Sequence, residues 1–165
     1  MNFERVGMPL GPTLLSAGRH SSATAPMATL PAGYSGTPLA GKLGIKPSCR
    51  LCVLGDAPLD YAQLLAPLPP GVLFESQPGA ATDIAHLFAT DAVELKAQLA
   101  FLRRVLKPSA ALWVSWPKKA SKVQTTITEG TVRDLALPLG WVDIKVCAVT
   151  AVWSGLKLVV RKELR

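Results

Sequence analysis

The sequence predicts an α/β domain in which helices cover both faces of a mostly parallel β-sheet. Short apolar runs bounded by turn residues, typical of strands covered on both faces, alternate along the chain with segments of helical periodicity. The last two runs, 141–149 and 155–164, instead alternate apolar and polar residues and follow each other closely. That pattern predicts an antiparallel hairpin at the end of the chain.

Composition restricts the class of protein. The chain has 165 residues, enough for one domain, and 49% of them are hydrophobic while 18% are charged, as in globular proteins. The formal net charge of +7 favours anionic partners such as nucleotides, nucleic acid or acidic proteins, although many ordinary soluble proteins carry a similar surplus. The chain has no apolar run of the ~20 residues that a membrane span needs. Its three cysteines are too few for a disulfide framework, so we expect a cytoplasmic protein without a membrane partner.

The distribution of turn-forming residues predicts the domain organisation. Residues 1–33 are rich in Pro, Gly, Ser, Thr and Ala without helix or strand periodicity, which predicts a flexible N-terminal tail. Met27 begins a segment that would itself be a sensible protein start. We therefore expect residues 1–26 to be either an extension of the gene model or a disordered arm, and residues 34–165 to form a single domain.

The first half of this domain is predicted to contain two short helices and three strands. Thr37 is a good N-cap, Pro38 suits the first helical position, and Gly44 suits the exit of a short helix. A second brief helix is predicted over 58–66. Apolar runs bounded by turn residues predict the strands: 50–55, 71–76 and 83–89.

The second half contains the clearest helix, predicted over 91–106. Its leucines fall at i, i+4, i+7 and i+11 and form one apolar stripe: Leu95, Leu99, Leu102 and Leu106. Asp91 and Glu94 have the spacing of a capping box at its start. A fourth strand over 111–116 and a helix over 128–137 come before the hairpin.

The order of these elements resembles a shortened class I methyltransferase fold, the fold of S-adenosylmethionine-dependent enzymes. The segments that carry the resemblance are GIKPSCRLCVLG (44–55), LKPSAALWVSWP (106–117) and the closing hairpin. Only about six residues separate the second and third predicted strands, so one helix and one strand of the full fold are expected to be missing. The resemblance implies a Rossmann-like three-layer sandwich with the sheet order 2-1-3-4-6-5.

A closer resemblance covers residues 33 to 165. The segments GYSGTPLAGKLGIKP, ALWVSWPKKASKV, LALPLGWVDIKVCAV and VWSGLKLVVRKELR are similar to the bacterial domain of unknown function 3052. This resemblance implies a fold and no established activity.

The turn after the first strand is the first candidate site. A cofactor site there needs glycines that let the backbone approach the ligand, but Gly55 stands alone, followed by Asp56, where methyltransferases have a G-x-G arrangement. Glu75, in the second strand, could hold the ribose hydroxyls of the cofactor. Since the N-P-P-Y loop of amino-methylating relatives is also absent, we expect no bound cofactor, with S-adenosylmethionine as the alternative.

Histidine and cysteine give weaker candidates. His86 lies in an apolar strand, which favours a buried core histidine over a residue that lines the cleft. Ser115 has no obvious histidine partner, so nucleophilic catalysis has no support. Cys49 and Cys52 would face opposite sides of one strand, which favours buried thiols over a metal or redox site.

The basic loop after the fourth strand is the strongest candidate. VSWPKKASK (114–122) places Lys118, Lys119, Ser121 and Lys122 at the carboxyl end of a strand, the edge where open α/β sheets bind ligands. Trp116 could supply a stacking face for a base. A solvated basic loop and a protein-binding surface are the alternatives.

These patterns lead to three hypotheses. The first is a non-catalytic binding or regulatory domain that holds an anionic small molecule or an acidic protein partner on the lysine loop. The second is a divergent S-adenosylmethionine-dependent methyltransferase. The third is a nucleic-acid-associated protein that also uses the basic residues near the end of the chain: Lys157, Arg161, Lys162 and Arg165.

Overall fold

The computed structural model describes residues 36–165, which form one compact unit. The predictions for residues 1–33, including the alternative start at Met27, lie outside the described residues. Within residues 36–165, no helix is both long enough and apolar enough to cross a membrane.

Six strands form a single sheet across the described residues. Their bounds are β1 Arg50–Gly55, β2 Leu73–Glu75, β3 Ile84–Phe88, β4 Ala111–Pro117, β5 Trp141–Ala148 and β6 Trp153–Val160. The order across the sheet is β2-β1-β3-β4-β6-β5. The first four strands pair in parallel, whereas β6 is antiparallel to both β4 and β5. The predicted strand order and the closing hairpin are therefore confirmed.

The helices differ greatly in length. Their bounds are α1 Leu39–Leu43, α2 Tyr61–Leu64, α3 Ala92–Val105 and α4 Glu129–Ala136, and single 3-10 turns cover Lys119–Ser121, Leu137–Leu139 and Lys162–Leu164. Asp91 caps α3, because its Oδ2 accepts a hydrogen bond from the Glu94 amide at 3.0 Å. Thr128 and Thr131 form a reciprocal capping box at the start of α4.

The longer helices α3 and α4 cover one face of the sheet with aliphatic side chains. The leucine stripe of α3 and Val132 of α4 pack on alternate residues of β4 and β6. The sheet residues in this cluster include Leu112, Val114, Trp116, Leu156 and Leu158.

The short helices α1 and α2 cover the opposite face. Leu43 of α1 and Tyr61 of α2 pack there with Phe88 and Trp113, in a cluster that is rich in aromatic rings. Trp113 is thus buried on one face and Trp116 on the other, as their spacing of three residues on one strand allows.

Several element boundaries differ from the prediction. Pro38, not Thr37, is the N-cap of α1, because Pro38 has an extended backbone and its carbonyl accepts the Lys42 amide. β6 begins at Trp153, which bonds back to Val149, so the hairpin connection is shorter and earlier than predicted. Residues 162–164 form a 3-10 turn rather than the end of a strand.

Two further features shape the edges of the sheet. Residues 76–83, between β2 and β3, contain no helix or strand, which agrees with the predicted loss of one helix and one strand and leaves the three-residue β2 as an outer strand. At the other edge, the pairing of β5 with β6 shifts register between Asp143 and Lys145. This irregularity is a β-bulge of an edge strand.

Candidate functional site

A cavity of about 270 Å³ opens at the carboxyl ends of β1 and β3, beside the first turns of α3. In the sheet, β1 has β2 as its neighbour on one side and β3 on the other. The direction in which strands are added therefore reverses at β1, and the cavity lies at this topological switch point. Ligands of open α/β sheets bind at such points. Its polar and backbone lining comes mainly from Gly55, Asp56, Phe88, Ala89, Glu94 and Gln98.

Gly55 determines how closely the two strands meet at this cavity. Its φ of +80° is in the left-handed region, and a Cβ at this position would lie 2.0 Å from the carbonyl oxygen of Phe88. The next amide, that of Asp56, donates a hydrogen bond to the same carbonyl at 3.0 Å. A single glycine is therefore sufficient for the close approach of backbone to backbone, although the G-x-G arrangement is absent.

The charges around the cavity are negative. Asp56 and Glu94 are exposed, and neither carboxylate has an ion-pair or side-chain hydrogen-bond partner within residues 36–165. The predicted residues Gly55 and Asp56 are thus brought together, and Glu94 joins them because Asp91 starts α3 directly after β3. The arrangement suits a ligand that carries positive charge.

Glu75 does not contribute to this cavity. Its Oε2 accepts a hydrogen bond from Arg50 Nε at 2.8 Å, and its Oε1 accepts one from Thr82 Oγ1 at 2.6 Å. Both hydrogen bonds lower the pKa of the Glu75 carboxyl, and the bond from Thr82 has the larger effect. One carboxylate oxygen is thus bonded to β1 and the other to the β2–β3 connection. Because both oxygens are already engaged, the prediction that Glu75 holds ribose hydroxyls is not supported.

His86 is fully buried and has two hydroxyl partners. The Tyr61 hydroxyl lies 2.7 Å from Nδ1, and Ser115 Oγ lies 2.7 Å from Nε2. Burial lowers the pKa of His86 to about 3, so the ring is neutral and uses one nitrogen as donor and the other as acceptor. The prediction of a satisfied core histidine agrees with this geometry, whereas the assignment of His86 to the cleft lining does not.

The expectation that Ser115 has no histidine partner is wrong. Residue alternation on the paired strands β3 and β4 places His86 and Ser115 on the same face, a relation that the predicted strand order already contained. Both side chains are fully buried, and Gly155 across the sheet leaves room for Ser115 because a Cβ there would lie 3.3 Å from its Oγ. The pair therefore has no access to a substrate and forms a structural network with Tyr61.

The basic loop after β4 lies at the carboxyl edge, as predicted, but Trp116 is not part of its surface. The Trp116 side chain is 6% exposed and packs in the aliphatic cluster, so its ring offers no face for base stacking. The Ser121 hydroxyl is engaged within the loop, because it donates to the Lys118 carbonyl at 2.6 Å and accepts from the Val123 amide.

The lysines of this loop remain available to a ligand. Lys118, Lys119 and Lys122 have no carboxylate within 4.0 Å among the described residues. Lys122 adopts a left-handed φ of 61° at the end of the 3-10 turn. The loop thus retains its charge while losing the aromatic and hydroxyl groups that were expected beside it.

Cys49 and Cys52 are free, buried thiols, as the sequence favoured. Burial, followed by the nearby charge of Asp83 or Glu75, raises the pKa of the Cys49 and Cys52 thiols, which disfavours the reactive thiolate. No cluster of His, Cys, Asp or Glu suited to a metal ion exists within the described residues.

Comparison with solved structures shows the fold. Similar structures include an S-adenosylmethionine-dependent methyltransferase from Clostridium acetobutylicum, with a TM-score of 0.53 and 7% identity over 90% of this chain and 99% of that one. A SAM-dependent methyltransferase from Aquifex aeolicus has a TM-score of 0.51 and 15% identity over 74% of this chain and 87% of that one. A protein from Sulfolobus solfataricus assigned as a type 11 methyltransferase has a TM-score of 0.54 and 12% identity over 75% of this chain and 90% of that one.

These similarities establish a Rossmann-like α/β fold of the class I methyltransferase type, in a reduced form. No protein-family model and no curated protein sequence matches the chain.

Proposed function

We propose that this chain is a divergent S-adenosylmethionine-dependent methyltransferase that binds its cofactor in the carboxyl-edge cavity. The observation that carries the proposal is the pair of unpartnered carboxylates, Asp56 and Glu94, at the switch point of a methyltransferase-type sheet. The closer resemblance to domain of unknown function 3052 stays a prediction and supplies no activity to test.

The chemistry of the cavity fits one end of the cofactor. S-adenosylmethionine carries a sulfonium and an ammonium in its methionine part. A free carboxylate can accept charge-assisted hydrogen bonds from the ammonium and attracts the sulfonium by Coulomb interaction alone. Asp56 and Glu94 would hold these groups, and Gly55 would allow the backbone to approach the ligand. When bound, the cofactor supplies an activated methyl group.

The ribose end departs from the usual arrangement. Glu75 is committed to Arg50 and Thr82, so the ribose hydroxyls gain no carboxylate partner from β2. This proposal therefore differs from the sequence-based one, in which Glu75 carried the binding.

Calorimetry with S-adenosylmethionine and with its demethylated product tests the proposal. We expect saturable binding that weakens at least about tenfold in Asp56→Asn and in Glu94→Gln, because a hydrogen bond to a charged group contributes about 1.5–3 kcal/mol. Asp134→Asn removes an exposed carboxylate on α4, far along the chain from the cavity, and is the matched control. Glu75→Gln should lower stability and leave the affinity unchanged.

Absence of heat with both compounds at millimolar concentration would overturn the proposal. Equal losses in Asp56→Asn and Asp134→Asn would also contradict it, since the effect would then be one of net charge. Once binding is established, release of the demethylated product in the presence of candidate acceptors reports methyl transfer itself.

A second candidate function rests on the lysine loop. Lys118, Lys119 and Lys122 present three unpaired charges at the carboxyl edge, which supports a binding or regulatory domain for an anionic small molecule or an acidic protein partner. A thermal-shift screen of nucleotides, acyl-CoAs and polyphosphates on wild type and the triple alanine variant tests this candidate. A compound that stabilises wild type alone supports it.

Nucleic acid is the alternative partner for the same lysines. Affinity for an oligonucleotide that falls steeply with added salt in wild type, and is lost in the triple variant, would favour nucleic acid over a small anion. Affinity that changes little with salt would count against it.

A further inference from the structure

A second cavity, of about 340 Å³, opens at the opposite, amino edge of the sheet. It lies where β1, β3 and β4 begin, between the C-terminal cap of α1 and the middle of β6. Its polar lining comes from Lys46, Ser48, Asp83, Ser109 and Lys157. Nothing in the methyltransferase-type fold assigns a ligand to this edge.

Lysines dominate the charge around this amino-edge cavity. Lys157 is only partly exposed, and its Nζ would lie 3.5 Å from a Cβ placed on Gly44 of the α1 cap. Lys145 is its direct cross-strand partner on β5, so two like charges lie on adjacent strands, and the Lys145 Nζ donates a hydrogen bond to the Lys42 carbonyl at 3.0 Å. Such pairs destabilise a sheet unless a counter-charge lies between or beside them.

The described residues supply no such counter-charge. Neither Lys46, Lys145 nor Lys157 has a carboxylate within 4.0 Å in the part of the chain from 36 to 165. Burial is the main cause that lowers the pKa of Lys157, and the positive charges of Lys145 and Lys46 lower it further. The lowered pKa agrees with an excess of positive charge around this cavity.

Asp83, the one acidic residue of the lining, does not neutralise these lysines. Its Oδ1 accepts a hydrogen bond from Lys107 Nζ at 2.6 Å, and its Oδ2 accepts one from the Arg50 amide at 2.9 Å. Both oxygens are thus engaged. The hydroxyls of Ser48 and Ser109, in contrast, have no hydrogen-bond partner among the described residues and are free to donate to a ligand.

We propose that the amino-edge cavity binds a small phosphorylated molecule, with Lys46 and Lys157 as the principal ligands of its phosphate group. The two lysines of the lining, which have no ion-pair partner among the described residues, match a group that carries two negative charges, and the serine hydroxyls match its several acceptor oxygens. The cavity volume is within the range of small-molecule pockets.

The position of Lys157 favours a small ligand over nucleic acid. Lys157 is partly buried on the sheet beside α1, whereas a polynucleotide backbone is bound by lysines that project from an exposed groove or stripe.

Titration with inorganic pyrophosphate at constant ionic strength tests the proposal, with calorimetry as the readout. We expect saturable binding that weakens at least about tenfold in Lys157→Gln and in Lys46→Gln, since each removes a charge-assisted contact. Lys96→Gln removes an exposed lysine of α3 and is the matched control, for which we expect a change within about twofold. Lys46 is exposed, so its variant is expected to fold even if a change at Lys157 disturbs the sheet.

Amide chemical shifts locate the site independently. Pyrophosphate should shift the amides of Gly44, Ser109 and Lys157 and leave that of Gly55 unchanged. The proposal is overturned if no saturable binding occurs or if Lys96→Gln weakens binding as much as Lys157→Gln does. It is also overturned if the triple alanine variant of Lys118, Lys119 and Lys122 no longer binds pyrophosphate. Binding restricted to oligonucleotides would also overturn it.

Discussion

The two faces of the sheet are built from different chemistry. The α3 and α4 face is a continuous cluster of mainly aliphatic side chains, which includes Leu99, Leu102 and Leu112. The α1 and α2 face contains a buried histidine, its two hydroxyl partners and stacked or edge-on rings, as with His86 and Phe88 at 4.3 Å. The difference shows two ways of filling the core of one sheet. The first face is held mainly by burial of apolar side chains, whereas the second also buries polar groups of β3, β4 and α2 whose hydrogen bonds are satisfied by one another.

The aliphatic face is expected to show the largest effect on stability. Leu102→Ala should lower the free energy of unfolding by about 2–5 kcal/mol, because it removes a fully buried side chain and leaves a cavity in a close-packed region. Urea denaturation measures the loss. Val93→Ala on the exposed side of α3 is the control, expected within about 0.5 kcal/mol of wild type.

The polar network of the other face should respond to loss of a single partner. Tyr61→Phe leaves His86 Nδ1 without its hydroxyl partner and is expected to destabilise the protein by about 1–3 kcal/mol, although it removes only one oxygen. The triple variant Tyr61→Phe, His86→Leu and Ser115→Ala should lose less than the sum of the three single changes. Additive losses in urea denaturation would show that the three groups do not act as a unit.

The same network predicts a pH dependence. Burial lowers the pKa of His86 from 6.5 to about 3, so below pH 6.5 the unfolded chain binds a proton that the folded protein does not. Stability is therefore fully present above pH 6.5 and is lost as the pH falls, with a slope of up to about 1.4 kcal/mol per pH unit from this group. Denaturation from pH 6.5 to 5.5, above the ordinary carboxyl pKa of 4.5, measures it. His86→Gln, which cannot titrate, should flatten this dependence, and an unchanged slope would contradict the assignment.

The smallest effect on stability is expected at the edge of the α1 and α2 face. Lys157→Met should raise stability near neutral pH by a few tenths to about 1 kcal/mol, since it removes a like-charge pair with Lys145 and the cost of burying an ammonium. Burial lowers the pKa of Lys157 in the folded protein below its ordinary value of 10.5. Between these two pKa values the folded protein has lost the proton that the unfolded chain still binds, so the stability of the wild type rises with pH in this range. The advantage of the variant should therefore shrink as the pH rises, and thermal unfolding at several pH values shows whether it does.

The fold was predictable because its signals are local and repeated. The leucine stripe of α3, the apolar strands and the alternating hairpin each follow from residue spacing, and the resemblance to methyltransferases fixed their order. The ends of elements were less predictable, since a backbone bond such as that from the Lys42 amide to Pro38 decided where α1 begins.

The candidate site was predictable only in part, because side-chain partners depend on tertiary contacts. Gly55 and Asp56 could be placed by the end of β1, but the commitment of Glu75 to Arg50 and Thr82 depends on the course of the β2–β3 connection. The burial of Trp116 follows from the face of β4 that it occupies, which alternation indicates only once the covering helices are known.

The bulge in β5 has a consequence for how this protein meets other copies of itself. β5 is an outer strand of eight residues with exposed apolar side chains, Ile144 at 56% and Val146 at 48%, a combination that invites pairing with a strand of another molecule. Bulges generally increase the local twist of an edge strand, and Lys145 adds a charge at the same point. We therefore expect the irregularity in register to disfavour edge-to-edge pairing of this strand with a second molecule.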